Sequence, residues 1–433
     1  MLTMEAEKPT EMDLVYKPKA PTSLQDLDIP LRLVEDLILR YLYRKGASRI
    51  GELSSVLKLS FPVIDAVFQQ MRQRQLFEIT GLNGNDYAFT LSGIGREHAL
   101  NRLQVSHYAG PAPVAVENYF AAVRKQVANI QVDQSFIKNA LSDLVVTNEL
   151  VDQLGPALIS QNSIFLYGPT GNGKTSIVKR LMRVFQDGVL IPYAVEFDGQ
   201  IIVLYDPAVH ERIETNVTAI DPRWVLCRRP CILVGGELEP KMLELQLEEG
   251  SKVYAAPLQM RANNGILIID DFGRQILSPQ YLLNRWIVPL DRRVDYLTLR
   301  YGVKFQIPFE MIVVFSTNLD PNDLADEAFL RRIQNKIYVG DVAAAVFDKI
   351  FYRIIAEKKI PCRPASEKFL RQLCLHYGPK VLRACYPRDV IDIIISTCRY
   401  EAVPVEINEA NLKRAVNLYF TKTLTGSKLQ LDG

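Results

Sequence analysis

An α/β fold built on a parallel sheet, with helical segments at either end, is predicted by three stretches of this sequence. Ser163–Tyr167 is an apolar run of strand length that feeds into a glycine-rich loop. Ile266–Ile269 is a second such run, ending in Asp270 and Asp271, and Met311–Phe315 is a third, ending in Ser316, Thr317 and Asn318. Strands buried on both faces read as continuous apolar runs, and helical stretches between them cover those faces.

At 433 residues the chain is too long for one ordinary core and suggests two or three domains. Its 48% apolar and 23% charged content is that of a globular protein, and a net charge of +2 creates no global field for a polyanion. Six cysteines without regular spacing do not form a disulfide framework, and four histidines scattered along the chain do not complete a zinc site. The first thirty residues lack an apolar signal core, and no apolar run is long enough to span a bilayer. A cytoplasmic protein without membrane insertion is expected.

Residues 1–30 hold four prolines and mixed charges, which suits a disordered tail. Over 31–105 the pattern is helical, then strand-like. Leu33, Leu37, Ile38, Tyr41 and Leu42 recur at helical spacing until Gly46; helices are predicted at Ile50–Lys58 and Pro62–Leu76. Two strand-like runs follow, Phe77–Thr80 and Tyr87–Thr90, with Asn83-Gly84 as the turn signal between them. Three helices and a hairpin are the order of a winged helix-turn-helix. The continuation Thr90–Glu97 resembles winged-helix regulators of the MarR type. Pro111 and Pro113 open a linker region, 106–140, with helical stretches near 116–128 and 134–152.

Gly168-Pro169-Thr170-Gly171-Asn172-Gly173-Lys174-Thr175 fits G-x-x-x-x-G-K-[ST] and stands between a strand and an apolar-periodic helix, Ser176–Phe185. Glycines let backbone N–H groups turn inward around phosphate oxygens, and a helix N-terminus adds partial positive charge. Lys174 is expected to reach the β- and γ-phosphates of ATP, and the Thr175 hydroxyl to ligate Mg²⁺. Such a loop needs a distant carboxylate on the Mg²⁺ shell. Asp270 is expected to supply it, and Asp271 to orient the attacking water. Asp271-Phe272-Gly273 also spells a kinase magnesium triplet, but no His-Arg-Asp loop precedes it and the phosphate loop is of another type.

With these residues in hand the chain resembles the AAA+ ATPase family. The fold implied is a P-loop NTPase with an AAA+ α/β core over 141–340, a helical lid over 341–425, and the winged helix ahead of both. By that likeness Asn318 is sensor 1, and Glu327–Ile333 is similar to the arginine-finger segment, with Arg331 and Arg332 reaching a neighbouring subunit's γ-phosphate. Tyr386-Pro387-Arg388-Asp389 resembles the sensor 2 position, which implies that Arg388 touches bound nucleotide. Pro257–Gly265 and Leu282-Leu283-Asn284-Arg285, ahead of a hairpin expected at 290–308, look like the MoxR-like and helix-2-insert branches. A homo-oligomeric ring of six subunits, acting on a protein client, is what the resemblance implies. The family usually has Glu where Asp271 stands, so hydrolysis is expected to be slow, relayed by water, or replaced by nucleotide-dependent switching.

Beyond Asp341 the chain reads as helical. Val346, Phe347, Ile350, Phe351, Ile354 and Ile355 form one stripe, Ser366 is expected to cap a second helix ending at Gly378, and Tyr386 opens a third. Between Lys174 and Asp270 hairpins are expected at Asp198-Gly199 and around Arg228-Arg229-Pro230. Glu248–Tyr254 could form a pore-facing loop with Tyr254 gripping a threaded chain, though such a tyrosine is more often a surface or packing residue. Residues 31–105 carry ten cationic against seven acidic side chains, with Arg72 and Arg74 on the third helix. That permits DNA binding through 31–105 without requiring it, since winged helices also dock proteins.

Overall fold

The glycine-rich loop sits at the end of a central strand of a parallel sheet. In this computed structural model, residues 14–83, 86–128, 130, 132–214, 220–324 and 327–420 are described. The chain divides into two compact units. One comprises Met1–Ile130, Phe185–Ile269 and Arg274–Val313; the other comprises Gln131–Val184, Asp270–Gly273 and Val314–Gly433.

In the first unit the helix Leu31–Lys45 buries Leu33, Val34, Leu37, Ile38 and Leu42 along one stripe. Gly46 ends it at φ +93°, where its N–H donates to the Leu42 carbonyl, a conformation that L side chains rarely adopt. Helices Ile50–Leu57 and Phe61–Gln73 follow, then strands Phe77–Asn83 and Asp86–Leu91, and a helix Gly93–Val105 capped by the Ser92 hydroxyl. Phe68, Phe77 and Phe89 stack within 5.4 Å of one another between the third helix and the hairpin. A strand at Ala47–Arg49 adds to the hairpin through Asp86–Leu91. Three residues carry no readable period, so that strand was not visible in the sequence. The turn expected at Asn83-Gly84 lies partly outside the described residues.

Residues 1–13 of the loose tail expected over 1–30 lie outside the described residues; from Leu14 onward the structure corrects that expectation. Leu14 and Ile29 are buried, and Tyr16 meets Trp224 edge-on at 5.6 Å. Asp221 N–H donates to the Pro18 carbonyl, and the Ser60 hydroxyl to the Pro21 carbonyl. Asp28 pairs with the buried Arg223 guanidinium at 2.6 Å. Most of these partners lie about two hundred residues away in sequence, which is why local composition misread the segment.

A mixed sheet orders Gln246–Glu248, Val253–Ala255, Gln200–Val203, Ala194–Phe197 and Val114–Ala115. Its Asp198-Gly199 turn has both residues at positive φ, +50° and +74°, as a two-residue hairpin demands. Of the two readings of Tyr254 the packing one holds, and the hairpin expected around Arg228-Arg229-Pro230 fails. Tyr254 is a core residue at 3% exposure, paired in register with Leu247 and Ile202, and its hydroxyl accepts from Arg300 N–H. It is not a pore loop. Nor is Arg228-Arg229-Pro230 a hairpin: Trp224–Arg228 pairs antiparallel with Gly188–Pro192, while Cys231–Val234 runs parallel to Ile266–Ile269. Arg229 enforces the divergence. It is 5% exposed and its guanidinium bonds Asp187 and the carbonyls of Gln126 and Asn264. The hairpin expected at 290–308 is present as Val294–Thr298 against Lys304–Pro308.

In the first unit Cys231–Val234 runs parallel to Ile266–Ile269; in the second, Ile164–Tyr167 lies between Val314–Thr317 and Asn335–Tyr338, parallel to both. The chain passes from the first unit to the second along Ile312–Thr317.

In the second unit the single helix expected over 134–152 is two, Gln134–Ala140 and Asn148–Ser160. The Thr147 hydroxyl caps the second by accepting from Leu150 N–H, and Asp143 in the break is held by Arg180 and Arg183 at 2.6 Å each. Four C-terminal helices, Ala344–Lys358, Ser366–Tyr377, Tyr386–Tyr400 and Glu409–Tyr419, pack on Phe347, Phe351, Leu370, Ile391 and Val416. Ser366 is the first residue of its helix and not its cap. Ala365 takes the cap position at φ +66°, and the Ser366 hydroxyl donates to the Arg363 carbonyl. Gly378 ends that helix as expected, its N–H donating to the Cys374 carbonyl. No helix among the described residues is long and apolar enough to cross a membrane.

Candidate phosphate-binding site

Every group of this site belongs to the second unit. Ile164–Tyr167 delivers the chain to Gly168, whose φ is +136°; a Cβ there would stand 2.3 Å from the Val339 carbonyl oxygen. Gly171 and Gly173 both sit at φ +83°, and the helix Lys174–Leu181 starts immediately after. Three left-handed glycines thus curl the backbone ahead of a helix N-terminus, the arrangement that presents N–H groups to an anion.

Lys174 is 7% exposed. Its ammonium donates to the Gly168 carbonyl at 2.8 Å, the Pro169 carbonyl at 3.0 Å and Asn318 Oδ1 at 2.6 Å. Burial pulls its pKa below the ordinary lysine value, opposed by Asp270 and Asp271 and reinforced by Arg383. The Thr175 hydroxyl donates to Asp270 Oδ2 at 2.7 Å, and Asn318 Nδ2 donates to Asp271 Oδ1 at 3.3 Å. Asp271 itself is held at φ +49°. Behind it, Phe272 N–H donates to the Ser316 carbonyl and Thr317 Oγ1 donates back to the Phe272 carbonyl, which ties the two strand ends together. Asp271 N–H donates to Asp270 Oδ1 at 3.1 Å, so Lys174, Thr175, Asp270, Asp271 and Asn318, expected from sequence to act together, are one hydrogen-bonded group.

They line a cavity of about 440 Å³ together with the apolar side chains of Val145, Val146, Ile177, Ile350 and Ile354. A cavity of that size, lined by both polar and apolar groups, suits a mononucleotide. One hydroxyl and one carboxylate side by side are also a donor set that suits Mg²⁺, which keeps waters and phosphate oxygens for its remaining positions.

Other expected residues sit differently. The Pro169 and Gly168 carbonyls face Lys174. Thr170 lines the cavity, whereas the Asn172 side chain is 5% exposed and turned to Asp341 and Ala384, leaving only its backbone for an anion. Arg388 is on the cavity wall and bonds Glu357 at 3.2 Å. Arg331, exposed after the short helix Glu327–Leu330, and Arg332, half-buried, do not line this cavity.

Two features escaped the sequence reading. One is the break at 141–147, which supplies Val145 and Val146 to the cavity; its signal was Thr147 three residues before an apolar helical run. The other is Arg383. Its Nε is buried without a hydrogen-bond partner, and a Cβ on Gly171 would stand 3.6 Å from its Cδ. Arg383 does not line the cavity, and it lies just ahead of Tyr386-Pro387, outside the motif that pointed to Arg388.

Residues 343–418 match a family described as a domain of unknown function (DUF8689). No curated protein matches the chain. Among solved structures, a mutant RuvB protein of Thermotoga maritima is similar at 11% identity and a TM-score of 0.36, over 66% of this chain and 71% of that one.

Proposed function

We propose that the chain binds and hydrolyses ATP as a subunit of an AAA+-type homo-oligomer, and that turnover drives remodelling of a protein or nucleoprotein client. The carrying observation is the hydrogen-bonded group Lys174–Asn318–Asp271 with Thr175–Asp270, at the mouth of three left-handed glycines. Thr175 and Asp270 would hold Mg²⁺, which when bound neutralises charge on the phosphates. Lys174 exchanges its carbonyl partners for phosphate oxygens, Asn318 keeps Asp271 oriented, and Asp271 accepts from the attacking water. Arg383, with Arg388 farther along the same segment, adds positive charge from the C-terminal helices.

Arg331 and Arg332 stand apart from their own chain's cavity, which suits arginines that complete a neighbour's site. Mixing a Lys174→Ala chain with an Arg331→Ala, Arg332→Ala chain tests this. Each alone should be inactive, and the mixture should regain part of the wild-type turnover. If the double arginine variant alone hydrolyses ATP as fast as wild type, the ring reading fails.

For 31–105 we favour a protein-docking winged helix over a DNA-binding one. Of its cations, Arg40, Lys45, Arg74 and Arg102 are ion-paired to Asp36, Glu52 or Glu35, and Arg72 stacks on Tyr87 at 5.5 Å. The hairpin meanwhile exposes Ile79 and Leu82 at 41% and 63%, where phosphate contact would call for basic side chains.

A further inference from the structure

Two consecutive residues of the glycine-rich loop are bonded to two consecutive residues at the entrance of the helix Tyr386–Tyr400. The Gly171 carbonyl accepts from Cys385 N–H at 2.9 Å, and Asn172 Oδ1 accepts from Ala384 N–H at 3.2 Å. A third tie runs from Asn172 Nδ2 to Asp341 Oδ1 at 3.3 Å, at the point where the last strand of the sheet gives way to the C-terminal helices. The packing is close as well: a Cβ on Gly171 would stand 2.6 Å from Cys385 Sγ. The face of the loop turned away from the anion is therefore fastened to both ends of the segment 341–385.

A phosphate gathers the loop's N–H groups on one side and so fixes the peptide planes whose carbonyls point to the other. Gly171 and Asn172 cannot change those planes without moving Ala384 and Cys385. We propose that Asn172 is the positioning residue that couples occupancy of the phosphate loop to the C-terminal helices, through its paired bonds to Asp341 and Ala384. The amide gives each partner its own atom, Nδ2 donating to the carboxylate and Oδ1 accepting from the backbone N–H. Alanine would lose both bonds, and a serine or threonine hydroxyl would have to serve both partners from one oxygen. The proposal rests on the nucleotide-binding reading of the loop, and it assigns Asn172 a task distinct from holding phosphate.

The test is an exchange of the two side chains in the full-length protein. Asn172→Asp sets a carboxylate against Asp341 and breaks the tie. Adding Asp341→Asn restores it in reverse, since Asn at 341 donates to Asp at 172, which still accepts from Ala384 N–H. Binding of Mg-ATP, steady-state turnover, and nucleotide-dependent amide-exchange protection of 384–400 are measured for wild type, both single variants and the exchanged pair. The expected result for Asn172→Asp is a fall in turnover of about tenfold, with loss of nucleotide-dependent protection and a change in Kd of less than about threefold. The exchanged pair recovers turnover and protection. Wild-type turnover and protection in Asn172→Asp would overturn the proposal. So would lost binding that the exchanged pair does not recover, since that would make Asn172 a phosphate contact. Failure of the wild-type chain to bind Mg-ATP at all would instead remove the nucleotide reading on which the proposal rests.

Discussion

Asp271 is held at φ +49° with Oδ1 accepting from Asn318 Nδ2 at 3.3 Å, one methylene shorter than the Glu expected there by resemblance. A left-handed backbone is tolerated by Asp better than by most longer side chains. Local conformation and chemistry thus pull in opposite directions at this residue. Asp271→Asn should lower ATP turnover by about a hundredfold, as loss of a general base does. Asp271→Glu should raise it if reach limits the rate; single-turnover kinetics at saturating Mg-ATP separates the two. Unchanged turnover in Asp271→Asn would remove Asp271 from the chemistry. Individual residues were the scale least legible in the sequence. The loop glycines and Lys174 follow a spacing with one physical meaning. Tyr254 and Asn172 do not, because whether a tyrosine grips solvent or fills a core depends on strands pairing fifty residues away.

Elements were legible where the signal is local. The strands Ile164–Tyr167, Ile266–Ile269 and Ile312–Thr317, and the helix Leu31–Lys45 with its glycine stop, follow from runs and periods a few residues long. The failures were of partnership. Arg229-Pro230 reads as a turn, yet its buried guanidinium sends the flanking strands to different sheets. Residues 14–30 read as tail, yet Asp28 is pinned by Arg223. Burial pushes the Asp28 pKa up, but the Arg223 charge and the N–H donors of Ala115 and Asn118 outweigh it, so the carboxyl ends below its ordinary value of 3.8. A depressed folded-state pKa contributes stability that is present above the unfolded value and lost as pH falls through the folded one. Urea midpoints should therefore drop more steeply below pH 3.8 in wild type than in Asp28→Asn. At neutral pH that variant should be destabilised by about 1 kcal/mol, because Arg223 keeps its bonds to Asp221. Parallel pH profiles for the two proteins would refute the assignment.

At the scale of the whole chain, the residues expected to act on nucleotide come from three separated stretches, around Lys174, Asp270 and Asn318, and hydrogen bonds within the second unit hold them together. Sequence spacing identified those stretches because each closes an apolar strand. It could not reveal that the C-terminal segment also touches the loop, since Ala384 and Cys385 carry no distinguishing chemistry and act through backbone N–H groups. A nucleotide account of this molecule stands or falls with the phosphate cradle. Titration of Mg-ATP into the full-length protein by calorimetry tests it most directly, beside Lys174→Ala. Saturable binding of one nucleotide per chain is expected, weakened by about a hundredfold or more when the lysine is removed. Equal affinity in the two proteins, or no binding by the wild type, would contradict it.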